Sequence, residues 1–219
     1  MVYQAAIFDM DGLLLDTERL YIELGTQLGK DMGYSLPLSP FLESIGRDSR
    51  DAARIFLSYM GEDFPIDALR SQMRSRMSEA IRERGAPRKP YATEILTRLH
   101  EAGMPIAIAT STGRDEARFR IESAGWTGLF ETFAFGDEVP HGKPEPDIFL
   151  LAASRLGAEP EHCVVLEDSP YGLRAARRAG MTSIWVPDLL TPESFPEDRA
   201  NADFIVGSLR EACDIIMHS

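Results

Sequence analysis

Residues 7–18 read IFDMDGLLLDTE, and the reading of this stretch decides the fold. The apolar run Ala5-Ala6-Ile7-Phe8 leads straight into Asp9, with Asp11 two residues on, then Gly12, Asp16, Thr17 and Glu18. A short run that is apolar at every position suits a strand buried on both faces, as in a parallel sheet. A carboxylate set against such a strand is costly to desolvate unless something answers its charge. Asp9 and Asp11 therefore mark the end of a core strand and need a partner elsewhere in the chain.

The same pattern recurs downstream. Strand-like runs lie at 105–110, 163–167 and 182–187, weakly at 203–206, with a minor one at 132–135. Helical patterns fall between them at 91–102, 114–124, 146–156 and 170–179, and a last one closes the chain at 208–217. Strands alternating with helices predict an α/β fold, a doubly wound, Rossmann-like parallel sheet. Residues 17–86 break the rhythm. They offer helical patterns near 17–32, 40–46, 49–60 and 66–84 and no convincing strand. In the last of these, Leu69, Met73, Met77 and Ala80 share one face, a packing stripe. The chain thus reads as a core of 1–16 plus 87–219, with a helical module of 17–86 inserted after the first strand.

Composition narrows the function classes. The chain has 219 residues, enough for one such core and a small second unit, and carries a net charge of −12. That sign argues against nucleic acid or an anionic membrane as partner. No segment approaches the apolar length of a membrane helix, and the N-terminus lacks the pattern of a secretory signal, so the expected compartment is the cytoplasm. Cys163 and Cys213 form no CxxC, and Cys163 opens an apolar run, which predicts a buried core thiol. The four histidines show no ligand spacing.

In open α/β sheets, ligands sit beyond the carboxyl ends of the strands. Here those ends carry Asp9-Met10-Asp11, Thr110-Ser111-Thr112 and Glu167-Asp168-Ser169, with Lys143 in the loop HGKPEPD between the last two. Singly, each has a plain reading. Thr110 or Ser111 could cap the helix near Arg114, and Ser169 before Pro170 reads as an N-cap. Together they crowd four acids on one rim. Two like charges 4 Å apart cost about 4 kcal/mol at an effective dielectric near 20, so the cluster must raise its pKa values or bind a cation. Hard oxygen donors without His or Cys favour Mg²⁺. Carboxylates, a dication, a lysine and hydroxyl donors make a phosphoryl-transfer site.

The ordered motifs DMDGLLLDTE, IAIATST, GKPEPDIF and VVLEDSPYGLRAA resemble those of the haloacid dehalogenase superfamily, in its capped phosphatase and β-phosphoglucomutase-like branch. The resemblance spans roughly residues 4–207. It implies that 17–86 is a cap domain, that Asp9 is a nucleophile forming an aspartyl-phosphate, and that Asp11 is the general acid–base. It also implies that Mg²⁺ is held by Asp9, the Asp11 carbonyl and Asp168, with Glu167 as a further ligand or outer partner. Thr110 and Lys143 complete the catalytic set, with Ser111 and Thr112 holding phosphoryl oxygens and the Lys143–Pro144 bond cis. Thr17, Tyr21 and Arg47 are the expected cap residues facing substrate. Sugar-phosphate mutases of this branch place a histidine four residues past the cap threonine; here that position is Tyr21, which favours a hydrolase. The expected substrate is a small phosphorylated sugar or polyol, with a phosphoglucomutase-type transferase as the alternative and a non-catalytic binding module as a third reading. The expected state is a monomer, with a weak homodimer as the other option.

Overall fold

The computed structural model describes residues 3–218. Six parallel strands, β1 (Ala5–Phe8), β2 (Ile106–Thr110), β3 (Thr132–Phe135), β4 (Cys163–Glu167), β5 (Thr182–Trp185) and β6 (Phe204–Ile205), form one sheet. Its order is β3-β2-β1-β4-β5-β6, so the chain leaves β1 in both directions and the switch point lies at the carboxyl end of β1. Phe8 pairs with Ile108 on one side and Leu166 on the other, which brings three strand ends to one level.

The strands are apolar throughout because both faces are covered. Ala6, Phe8, Ile106, Ile108, Val164 and Leu166 face one cluster with α5 (Ala92–Glu101) and α9 (Leu209–His218). Ala5, Ile7, Ala107, Ala109 and Val165 face the other, against α7 (Asp147–Leu156) and α8 (Pro170–Arg178). Period-two alternation therefore sorts small side chains to the α7–α8 face and larger ones to the opposite face. α6 (Arg114–Ser123) follows β2. Cys163 and Cys213 are both buried and free, and burial pushes the Cys163 thiol up to about 11.

Between β1 and α5 lie only helices: α1 (Thr17–Asp31), α2 (Ser39–Ser44), α3 (Ser49–Met60) and α4 (Ile66–Arg84). Leu69, Met73, Met77 and Ala80 of α4 are buried, as their spacing predicts. Gly25 of α1 is needed for packing, since a Cβ there would lie 2.5 Å from the Phe41 ring. The two chain crossings are stitched together: the Asp16 amide donates to the Pro87 carbonyl and the Lys89 amide to the Leu14 carbonyl. Among the described residues no helix is long and apolar enough to cross a membrane.

Two-sided burial sets the expected stability pattern. Leu96→Ala removes a fully buried side chain of α5 and is expected to cost about 2–5 kcal/mol, whereas Leu38→Ala, at an exposed site, is expected to stay within about 0.5 kcal/mol. Urea denaturation midpoints of the two variants against the parent check this.

Candidate active site

Asp9 is the first residue past β1, and its amide still donates to the Leu166 carbonyl of β4, so the sheet aims it. Its Oδ1 accepts from Lys143 Nζ at 2.5 Å. The same ammonium donates to Glu167 Oε1 at 2.6 Å and lies 4.9 Å from the centre of the Phe149 ring. The Lys143 side chain has no exposed surface, and the Lys143–Pro144 bond is cis, as the family resemblance implies.

Of the two roles expected of Glu167, further ligand or outer partner, the geometry fits the second. Oε1 is taken by Lys143, and Oε2 accepts from the amide and hydroxyl of Ser169 at 2.8 and 3.0 Å. A Cβ on Gly172 would lie 1.8 Å from Oε1, so the start of α8 is moulded around this carboxylate. With both oxygens engaged, Glu167 is a buried partner of Lys143 and not a free metal ligand. Ser169 keeps its predicted cap as well, since its hydroxyl accepts from the Gly172 amide.

Asp168 is different. Its carboxylate sits over Gly12, where an added Cβ would lie 2.2 Å from Oδ2, and Gly12 has a φ of 89° that favours glycine in any case. No donor among the described residues reaches this carboxylate, while Trp185 Nε1 holds the Asp168 main-chain carbonyl at 2.9 Å. Burial, then the charges of Glu167, Asp9 and Glu18, push the Asp168 carboxyl well up. Burial likewise raises Asp9 to about 8, against the lowering effect of Lys143. Three buried acids thus share one ammonium, a charge balance that favours binding a further cation. Two oxygen donors, Asp9 and Asp168, together with the Asp11 carbonyl, which accepts no hydrogen bond from the described residues, fit a Mg²⁺ ion. Among the described residues no three His, Cys, Asp or Glu side chains form a metal cluster, in keeping with the engagement of Glu167.

Asp11 is held by three donors. Thr17 Oγ1 and an Arg120 nitrogen reach its Oδ1 at 2.5 and 2.6 Å, and Thr112 Oγ1 reaches Oδ2 at 2.7 Å. Burial works to raise this carboxyl, but Arg120 and the hydroxyl donors together hold it below the usual carboxylate range. Thr17 and Thr112, expected to face substrate, line the cavity, and their hydroxyls are given to Asp11. The Thr112 amide is also taken, by the Thr110 hydroxyl oxygen at 3.1 Å, so it is not free for a phosphoryl oxygen. That leaves the Thr110 hydroxyl hydrogen and the Ser111 amide uncommitted. Neither residue caps α6, whose first amide donates to Asp137 beyond β3.

Arg120 was not among the expected residues. A signal for it exists: Ala117, Ile121 and Ala124 form the buried stripe of α6 and its end, and Arg120 interrupts that stripe. An arginine on a core-facing stripe needs an acid at its tip.

Between the strand ends and the inserted helices lies a cavity of about 620 Å³, with Arg47, Arg50, Arg70, Arg74 and Arg120 on its walls. Arg47 lies over the ring of Tyr171 of α8, 4.0 Å from its centre, with a nitrogen donating to the Tyr171 hydroxyl at 2.6 Å. Ser111 Oγ donates to the Gly46 carbonyl and Arg50 to the Pro140 carbonyl, so the loop before α3 rests on the core. Tyr21 lines the same cavity, packs edge-on against Phe41 at 6.0 Å and forms no hydrogen bond with Asp11. Glu18 also lines the cavity; burial, then the charges of Asp11 and Asp9, raise its carboxyl to about 8.

A haloacid dehalogenase-like hydrolase family model matches residues 6–186. The chain is 35% identical over 213 residues to a probable pseudouridine-5'-phosphatase of Drosophila melanogaster, spanning 94% of this chain and 89% of that one. It is 32% identical over 186 residues to a phosphorylated carbohydrates phosphatase of Thermotoga maritima, spanning 83% and 84%. Among solved structures, CbbY of Rhodobacter sphaeroides in complex with xylulose-(1,5)bisphosphate matches with a TM-score of 0.81 and 27% identity, covering 94% of this chain and 95% of that one. The chain belongs to the haloacid dehalogenase-like hydrolases, in their capped phosphatase branch, and is a phosphoric monoester hydrolase.

Proposed function

We propose that the protein hydrolyses a small phosphorylated sugar or polyol through an aspartyl-phosphate on Asp9, with residues 17–86 acting as a cap over a core of 1–16 and 87–219. One observation carries the reading: Asp9, paired with Lys143 at 2.5 Å, and Asp11, gripped by three donors, share the floor of one cavity lined by arginines. Its size and five arginines suit a sugar-sized anion, despite the acidic charge of the whole chain. Relatives named for pseudouridine-5'-phosphate and for phosphorylated carbohydrates point to the same class.

Each residue has a task in that scheme. Asp9 attacks phosphorus, and Lys143 and the Thr110 hydroxyl offset charge on the phosphoryl oxygens. Asp11 protonates the departing alkoxide, then takes a proton from the water that hydrolyses the acyl phosphate. A Mg²⁺ ion held by Asp9, Asp168 and the Asp11 carbonyl would neutralise the acid cluster and the phosphate dianion. Tyr21 gives Asp11 no hydrogen bond, which supports hydrolysis over the mutase alternative: among the described residues of α1, Thr17 alone bonds the acid–base, and Glu18 acts on it through charge.

Phosphate release from a panel of phosphorylated metabolites, with Asp9→Asn as the blank, tests the reading. The variant is expected to lose activity by ~10⁴-fold or more, and turnover retained near the parent's would remove the nucleophile. Asp11→Ala is expected to slow alkyl phosphates by ~10²–10⁴-fold and p-nitrophenyl phosphate much less in its first step, because p-nitrophenolate departs without a proton. Equal losses on both in single-turnover assays would count against the acid role.

The raised Asp9 carboxyl also predicts a pH effect. Its ordinary value is 3.8 and its folded value about 8, so the unfolded chain releases this proton first. Metal-free stability is therefore expected to fall as pH rises from about 4 to 8. Added Mg²⁺ is expected to offset the fall, with a larger rise in melting temperature at pH 8 than at pH 6, because at pH 6 the ion must displace a proton. A Mg²⁺-induced shift independent of pH would contradict the site.

A further inference from the structure

The three donors on Asp11 come from two parts of the chain. Thr17 belongs to α1 and so to the helical insertion; Thr112 and Arg120 belong to the core. Thr17 and Arg120 share one oxygen, Oδ1. Asp11 is the sole hydrogen-bond partner of Arg120 among the described residues, although the guanidinium carries five N–H groups and its side chain is only 12% exposed. Glu116 and Glu18 add their charges to that of Asp11, but neither takes a hydrogen bond from the guanidinium, and a buried ion cluster of this kind is a poor way to stabilise a fold. α6 does not need it as an anchor, since Ala117 and Ile121 are buried and Asp137 holds its first amide. Arg120 also lines the cavity, beside the acid it holds.

We propose that Arg120 is a positioning residue for the second half of the reaction, keeping Asp11 oriented from the core side while the insertion is lifted. The inference rests on the phosphatase reading above. In the first half, phosphorus passes to Asp9 and an alcohol is formed inside the cavity under the insertion. Ser111 to Gly46, Arg50 to Pro140 and Arg47 to Tyr171 tie the insertion to the core, and these contacts loosen when it lifts to widen the way out for the alcohol. Thr17 moves with the insertion, and its bond to Asp11 is lost at that point. Arg120 and Thr112 stay.

In the second half, a water oxygen forms a bond to phosphorus and Asp11 takes one of its protons. The bond from phosphorus to Asp9 breaks, the electron pair returns to the Asp9 carboxylate, and inorganic phosphate leaves. An acid–base held only by the insertion would be free to turn away during this step, and the phosphoenzyme would wait for another alcohol. Held from the core, it commits the phosphoenzyme to water. The division of donors between core and insertion is thus a device that selects hydrolysis over transfer.

The test uses the full chain with Mg²⁺ and p-nitrophenyl phosphate, comparing the parent with Arg120→Met, Arg120→Lys and Thr17→Val. Rapid-mixing release of p-nitrophenol reads the first half; intact mass of acid-quenched enzyme reads covalent phosphate. Arg120→Met is expected to keep a first burst of one p-nitrophenol per site, lose steady-state turnover by ~10²-fold, the lower end of an acid–base contribution, and accumulate phosphoenzyme. Arg120→Lys, which keeps the charge, is expected to recover a large part of the turnover. Thr17→Val is expected to accumulate no phosphoenzyme. Arg120→Met turning over like an active parent overturns the proposal, as does loss of burst and turnover together in both Arg120 variants. A parent with neither burst nor turnover overturns the phosphatase reading itself, and the two failures are told apart by the parent alone.

Discussion

Lys143 is the residue on which the rest of the site depends. Its ammonium lies wholly inside the protein, bonded to Asp9 at 2.5 Å and Glu167 at 2.6 Å. A buried ion triad of this kind is a weak source of stability, because desolvation takes back much of the attraction. Its effect is on arrangement. Glu167, anchored by Ser169 and enclosed by Gly172, fixes the lysine, and the lysine fixes Asp9. The nucleophile is thereby tied to the first turn of α8, two strands' worth of chain away, and α8, β4 and β1 become one rigid support.

Much of this was legible in the residues. The continuous apolar strands and their alternation with helices predict the sheet type, and even the minor strand at 132–135 lies where the sequence puts it. The acids at the ends of β1 and β4, with Lys143 between, meet on one rim as expected. What the linear pattern did not show was which hydrogen each oxygen accepts. Glu167 and Asp168 are neighbours in sequence, yet one is saturated by donors and the other has none. That division comes from the turn into α8, which points one carboxylate inward at Lys143 and the other outward over Gly12. Thr17 and Thr112 are a similar case: the positions were singled out, but only the folded geometry assigns both hydroxyls to Asp11. Arg120 was missed because a single arginine in a helix is ordinarily a solvated one, and its break in the α6 stripe was the sole hint.

The two acids of the opening stretch sit in opposite electrostatic surroundings two residues apart. Asp9 shares its lysine with Glu167 and faces Asp168, and its carboxyl is raised. Asp11 has its own arginine and two hydroxyls, and its carboxyl is lowered. Without other charges these surroundings run against the proposed roles, since a nucleophile works ionised and a general acid protonated: Asp9 needs a cation beside it to ionise, and Asp11 needs the negative charge of an arriving phosphate to take up its proton. Alternation along the backbone places both at the rim; the tertiary partners make them different.

The glycines around this rim bear on how such an enzyme can change. Side chains at Gly12, Gly46, Gly136 and Gly172 would collide with Asp168, Ser169, the Ser111 main chain and Glu167 respectively. No single substitution at these positions leaves its neighbour undisturbed, so the floor of the cavity offers little room for drift. The walls facing it are long arginines on α4 and in the loop before α3, which can be exchanged without touching that floor. New specificities in a scaffold of this kind would arise from the ceiling downward, with the reaction itself held constant beneath.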